Sequence, residues 1–115
     1  MTTASYSGSA PFTIRRPIAH RGAFKSLTIA GDVTLTHRSA TYLKIDPGGS
    51  GRNITLPSAR AGAYFRITNA ASGDEGLVVI TAAGTVATVS QNERCEFFVE
   101  DGAWTFDAIE TIALS

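Results

Sequence analysis

The sequence predicts an all-β protein: a small antiparallel β-sandwich or barrel, jelly-roll-like, with an extended N-terminal arm. Three observations support this fold class. Apolar and polar residues alternate over short runs, turn-forming residues separate those runs at close spacing, and no run keeps a 3.6-residue apolar period beyond one turn. Many short strands at this spacing are typical of sheets built from antiparallel hairpins.

Each predicted strand is a short run with a period of two. In the run at 94–100, for example, Cys95 and Phe97 oppose Glu96 and Phe98. The strands are predicted at residues 12–16, 27–30, 32–37, 40–46, 52–56, 63–69, 77–82, 85–90, 94–100 and 103–108.

Turn signals separate these strands. They are AGD at 30–32, DPGGSG at 46–51, SGDEG at 72–76, AAG at 82–84 and EDG at 100–102. Each supplies glycine, aspartate or proline where the chain needs a positive φ or a preset bend. We interpret the glycine-rich GGSGRN as a hairpin loop. The segment 57–62 predicts a single helical turn, opened by its proline and ended by its glycine.

The length of 115 residues predicts one folded domain. We place a basic N-terminal arm at 1–25 and the β-sandwich or barrel domain at 26–115. A domain of this size buries a modest core, so association with further copies is a plausible source of extra stability.

The charge is zero overall but unevenly distributed. Residues 1–44 contain six basic residues and one acid, whereas 45–115 contain four arginines and nine acids. A nucleic-acid binder needs a net basic domain or a dense basic stripe, so this function is excluded. Two interpretations of the basic segment stay open: an arm laid on an acidic surface, or a solvated segment.

No segment predicts insertion into a membrane. The start of the chain lacks the apolar run of a signal peptide, and no stretch approaches the length of a membrane span. We therefore expect synthesis and assembly in the cytoplasm and no membrane partner.

The pattern of reactive residues predicts no enzyme. His20 and His37 have no cysteine or carboxylate cluster beside them, so no metal site is predicted. No serine lies in a G-x-S-x-G turn, and Glu96 and Glu100 lie on the outward face of one strand. We predict no catalytic, metal-binding or cofactor-binding residue.

The aromatic residues predict a core and not a sugar-binding platform, because aromatics dominate cores and interfaces. The predicted core residues are Trp104, Phe106, Phe97 and Phe65. Asp101-Gly102 predicts a tight hairpin turn, which places Trp104 and Phe106 on one face of the returning strand. Cys95, the only cysteine, is expected to be buried as a small hydrophobe.

Several short motifs follow one another after residue 54. They are Thr-Leu-Pro at 55–57, Gly62, a strand that ends at Asn69, Gly84, the polar turn SQNE at 90–93 and Asp-Gly-Ala-Trp at 101–104. In this order they resemble a β-module that recurs in the virion proteins of tailed bacteriophages. The module often carries Pro-Gly in the turn before its last hairpin, where this sequence has Gln91-Asn92. This departure affects only the turn type.

The resemblance implies a structural virion protein. Such modules occur in tail fibres and spikes and in small head-decoration, or cement, proteins. This sequence has one module, a basic arm and no repetitive shaft, which is similar to a decoration protein. Such a protein stabilises the exterior of a mature capsid as a homotrimer that bridges neighbouring capsomers, so the implied partners are itself and the major capsid protein. The residues expected to contact the capsid are Arg15, Arg16, His20, Arg21 and Lys25.

A receptor- or glycan-binding module of a tail fibre or tail tip stays open as the alternative. Exposed aromatics beside polar loops, such as Tyr64 near DPGGSG, favour it. A glycan is an expected partner only in this interpretation.

Overall fold

The computed structural model describes residues 24–112, and in this range the regular structure consists of nine strands. The strands are β1 (Phe24–Thr28), β2 (Val33–Thr34), β3 (Tyr42–Asp46), β4 (Arg52–Thr55), β5 (Tyr64–Asn69), β6 (Leu77–Thr81), β7 (Gly84–Val89), β8 (Glu93–Glu100) and β9 (Ala103–Thr111). The all-β prediction is confirmed. The predicted strand at 12–16 lies outside the described residues.

The strands form two mixed sheets. The five-stranded sheet has the order β1-β3-β5-β8-β9 and the four-stranded sheet has the order β2-β4-β6-β7. Between residues 24 and 112 no helix is long and apolar enough to cross a membrane. The predicted helical turn at 57–62 is an irregular segment instead, which ends in a turn at Gly62, where φ is +85°.

The first six strands alternate between the two sheets. Each of the first four strands therefore pairs in parallel with the strand two further along the chain, as in the register Leu43↔Ile67 in one sheet and Ile54↔Val79 in the other. Only the later pairs, β5–β8, β6–β7 and β8–β9, are antiparallel. This corrects the prediction of hairpins throughout. The strands β1 to β6 wind alternately between the two sheets, and only β6–β7 and β8–β9 are hairpins.

The segment DPGGSG corrects a specific prediction, because it is not a hairpin loop. It leaves β3 in one sheet and enters β4 in the other. The Asp46 carboxylate accepts a hydrogen bond from the Gly48 N–H at 2.9 Å, and Gly48 lies against the Ile29 carbonyl in the connection between β1 and β2. A Cβ at Gly48 would be 2.2 Å from that oxygen, so the close approach of these two connections requires glycine at position 48.

The core lies between the inner faces of the two sheets. Phe65 and Phe97 are 3% and 0% exposed, and the buried aliphatic side chains of both sheets surround them. Cys95 is fully buried among them, as predicted.

Phe106 corrects the predicted core, because its side chain is 42% exposed. Its register partner across β8–β9 is the buried Phe97, so Phe106 is on the inner face of its sheet. However, β9 is the last of five strands, and the opposite sheet has only four. At this edge β9 contacts mainly β7 of the opposite sheet, so Phe106 is covered in part and stays 42% exposed.

Candidate interaction surface

The two ends of the motif-bearing segment 55–104 contact each other through Trp104. Its indole Nε1–H donates a hydrogen bond to the Pro57 carbonyl oxygen at 2.7 Å, across 47 residues of sequence. The indole ring also packs on Phe65, with the ring centroids 5.9 Å apart and the planes inclined by 31°. The half-buried Trp104 therefore joins the D-G-x-W hairpin to the Thr-Leu-Pro segment.

The turn before Trp104 fixes where the indole enters the fold. Glu100 pairs with Ala103, which leaves a two-residue loop, and both loop residues have a positive φ: 54° at Asp101 and 78° at Gly102. Asp-Gly with two positive φ angles is the type I′ turn that matches the twist of antiparallel strands. The predicted tight hairpin is confirmed.

Asn69 is a second structural contact of the module. Its side chain is 0% exposed, and all its polar atoms have partners. Nδ2 donates to the carbonyl oxygens of Glu75 and Val89 at 2.9 and 2.8 Å, and Oδ1 accepts from the Ala71 N–H at 2.8 Å. A motif position that the sequence marks only as the end of a strand thus holds the loop after β5 to the end of β7.

A cleft of about 540 Å³ lies beside Trp104. Its lining has no charged residue; it consists of small and apolar residues from the loops at one end of the fold, with hydroxyl groups from Thr55, Ser58 and Thr81. This cleft could not be predicted from the sequence, because its walls come from three loops that are distant in the chain.

The outer face of the five-stranded sheet carries charged and aromatic side chains; we call it the charged face. Arg66 lies 4.8 Å from the centre of the Tyr42 ring, and the ring of Tyr64 meets that of Tyr42 edge-on at 6.1 Å. The Tyr64 hydroxyl donates to Glu96 at 3.0 Å. Burial and this carboxylate raise the pKa of Tyr64 to about 12. Further along, Arg94 and Glu110 form an ion pair.

The outer face of the four-stranded sheet is different, because no charged side chain lies on it among the described residues. The strand register places six uncharged side chains here, and we call this surface the neutral face: Thr34, Asn53, Thr55, Val78, Ile80 and Thr88. The nearest acid, Asp32, lies at its border and accepts a hydrogen bond from the Asn53 N–H. A signal exists in the sequence, since no charged residue occurs from Gly76 to Asn92.

A narrow gap between β7 and β9, which we call the seam, borders the neutral face. It encloses about 260 Å³ and is lined by Thr85, Val86, Trp104 and Phe106, among others. The seam exposes the side chain of Phe106, which the four-stranded sheet covers only in part.

The predicted capsid-contact residues have different outcomes. Arg15, Arg16, His20 and Arg21 lie outside the described residues. Lys25 lies in β1 with an exposed side chain. None of them is therefore placed in a common site.

Reactive groups are dispersed over the part of the chain that the structure describes. Within it, no three His, Cys, Asp or Glu side chains lie close enough together to hold a metal ion. His37 contacts the Ser58 hydroxyl at 3.3 Å. Burial raises the pKa of the Cys95 thiol to about 11, which keeps it protonated and unreactive at neutral pH.

Comparisons with known proteins identify the fold alone. No family model matches the sequence, and no curated protein matches it. One solved structure, described as a chaperone–substrate complex, contains a similar fold with a TM-score of 0.51 and 21% sequence identity. The match covers 75% of this chain but 17% of the other chain.

Proposed function

We propose that this chain is a structural virion protein of a tailed bacteriophage, which decorates the outside of the mature capsid. It bridges neighbouring capsomers and stabilises the shell. Its partners are further copies of itself, as a homotrimer, and the major capsid protein.

The contact between Trp104 and Pro57 is the observation that supports this proposal most. The motifs that carry the bacteriophage resemblance meet there, and their polar groups are used inside the protein. Asn69 is used in the same way, with every polar atom bonded to backbone. Trp104 and Asn69 therefore stabilise the fold, as a structural protein requires.

The charge distribution supports a contact with an acidic shell. Residues 1–44 have six basic residues and one acid, and the exposed Lys25 lies in the first described strand. Arginines on a preceding segment can meet acidic groups on a lattice of capsid subunits, and complementary charge raises both specificity and association rate. Several copies held together bind such a lattice more tightly than one copy alone.

Location and copy number on purified virions test the proposal. Immunogold electron microscopy is expected to label the heads, and quantitative mass spectrometry is expected to find hundreds of copies per particle, as a closed shell with many equivalent positions requires. Capsids that lack the protein should lose their DNA at a lower temperature than decorated capsids. Label confined to the tail, or equal heat resistance of the two kinds of capsid, contradicts the proposal.

A charge-reversal pair tests the basic segment. The variant Arg15→Glu/Arg21→Glu is expected to weaken binding to undecorated capsids, and the loss should shrink as salt screens the contact. The matched control Arg38→Glu/Arg60→Glu changes two arginines beyond the arm, both exposed, and should bind as the natural protein does. Equal binding by both variants would show that the arm does not carry the contact.

The receptor- or glycan-binding alternative is favoured by the cleft beside Trp104. An indole, hydroxyl groups and the absence of charge in the lining suit a neutral ligand such as a saccharide. Glycan-array binding that disappears in Ala83→Phe, which fills the exposed rim of the cleft, together with tail labelling, supports this alternative. An array without binding removes it.

A further inference from the structure

We infer that the neutral face, together with the seam, is the surface through which copies of this chain contact one another. The inference rests on the self-association in the proposed function and assigns it to particular residues. Three features of the described surface lead to it: the absence of charge, the half-buried apolar side chains on its outer side and the continuity of the two regions.

The first feature is charge. In a symmetric assembly the residues nearest the axis face their own copies, so any charge there meets a like charge. The charged face would bring Lys44, Arg66 and Glu96 into this position. The neutral face brings threonine, asparagine, valine and isoleucine instead, which pair with themselves without repulsion.

The second feature is the composition of the surface. Val78 and Ile80 are half-buried on the outer side of β6, where a strand facing water usually carries polar residues. Depletion of charge around apolar side chains is also what separates the centre of an interface from ordinary surface.

The third feature is continuity. The neutral face ends at β7, the edge strand of its sheet, and the seam begins on the other side of that strand. Phe106, 42% exposed in the seam, therefore extends the same uncharged surface. An aromatic ring at such a place is the kind of anchor that carries binding energy in interfaces.

Charge also separates this surface from the proposed capsid contact. A shell recognised by arginines must be acidic, and a surface without charge has nothing complementary to offer it. The two partners thus require two surfaces, a basic one for the shell and a neutral one for further copies.

Sedimentation equilibrium of the full chain tests the inference. The natural protein is expected to associate, and both Val78→Glu and Thr88→Glu are expected to raise the dissociation constant about tenfold or more. The matched control is Thr68→Glu. Thr68 lies between Lys44 and Arg94 on the charged face, as Val78 lies between Asn53 and Thr88 on the neutral face. The control is expected to associate normally.

A second measurement distinguishes a loss of association from a failure to fold. Thr88 has an exposed side chain at a sheet edge, so Thr88→Glu should keep the far-ultraviolet circular dichroism of the natural protein. Phe106→Thr should also weaken association, and raising the salt concentration should not, because no charges meet in this contact.

Each outcome decides a different point. A monomeric natural protein, or a loss of association in Thr68→Glu that equals the loss in Val78→Glu, overturns the inference. If the protein labels capsid heads as a monomer, the proposed decoration of the capsid stands, whereas the proposed homotrimer and this inference both fail. Association through the neutral face without label on heads supports the inference and contradicts the capsid proposal alone.

Discussion

Trp104 donates a hydrogen bond to the carbonyl oxygen of Pro57 at 2.7 Å, although 47 residues separate them in the sequence. This contact links the last hairpin of the five-stranded sheet to the segment that leaves β4 in the other sheet. It therefore connects the two layers of the sandwich at one end of the fold.

Removing the indole should destabilise the protein strongly. We expect Trp104→Ala to lower the free energy of unfolding by about 3 kcal/mol, at the lower end for a large aromatic because Trp104 is only half-buried. Trp104→Phe keeps most of the packing and loses the hydrogen bond, so about 1 kcal/mol is expected. Urea unfolding followed by circular dichroism measures both. If Trp104→Ala were as stable as the natural protein, the indole would contribute to the surface and not to the stability of the fold.

Replacing the buried Asn69 should be as costly. In Asn69→Ala the carbonyl oxygens of Glu75 and Val89 and the N–H of Ala71 lose their partner, and each buried unpaired group costs about 1–3 kcal/mol. The exposed Asn53 provides a control, since Asn53→Ala should cost less than about 0.5 kcal/mol. Thermal unfolding compares the two. Similar melting temperatures would mean that water replaces the amide.

The neighbouring glycines 48 and 49 should respond differently to the same change. Both have a positive φ, 77° and 94°, so alanine costs about 1–2 kcal/mol of backbone strain at either position. Only at Gly48 would the new methyl group also meet the Ile29 carbonyl. Gly48→Ala should therefore be clearly less stable than Gly49→Ala in chemical denaturation. Equal stability of the two variants would show that position 48 is not packed closely against the Ile29 carbonyl.

Stability should fall in alkaline solution because of two groups. Burial raises the pKa of Cys95 from its ordinary 9.0 to about 11 and that of Tyr64 from 10.0 to about 12. Above pH 9 the unfolded chain therefore loses protons that the folded protein retains, and the free energy of unfolding decreases as the pH rises to about 12. Tyr64→Phe should show a smaller decrease between pH 10 and 12. An unchanged decrease in this variant would exclude Tyr64 as a source.

The two phenylalanines that pair across β8–β9 should differ in their contribution to stability. Phe97→Ala removes a fully buried ring and is expected to cost about 3–5 kcal/mol. Phe106→Ala removes a ring that is 42% exposed, so a loss near 1 kcal/mol is expected in the monomer. Denaturation at low protein concentration measures both without a contribution from association. Comparable losses would place Phe106 in the core after all.

Local patterns in the sequence predict the strands well because alternation reflects burial on one face of each strand. Each predicted strand between residues 24 and 112 overlaps an observed one, and the Asp101-Gly102 turn was identified from its two residue types. The pairing of the strands is not local. Glycine-rich segments such as DPGGSG suit a hairpin or a crossing between sheets equally well, and only the packing against Ile29 selects the crossing.

Composition and alternation were enough to predict that this protein is all-β, that Phe65, Phe97 and Cys95 are buried and that its charge is divided between two halves. The path of the first six strands between two sheets, the bond from Trp104 to Pro57 and the partial cover of Phe106 became visible only in the folded chain. Alternation records which face of a strand is apolar, whereas the neighbour that covers this face is set by packing between distant segments.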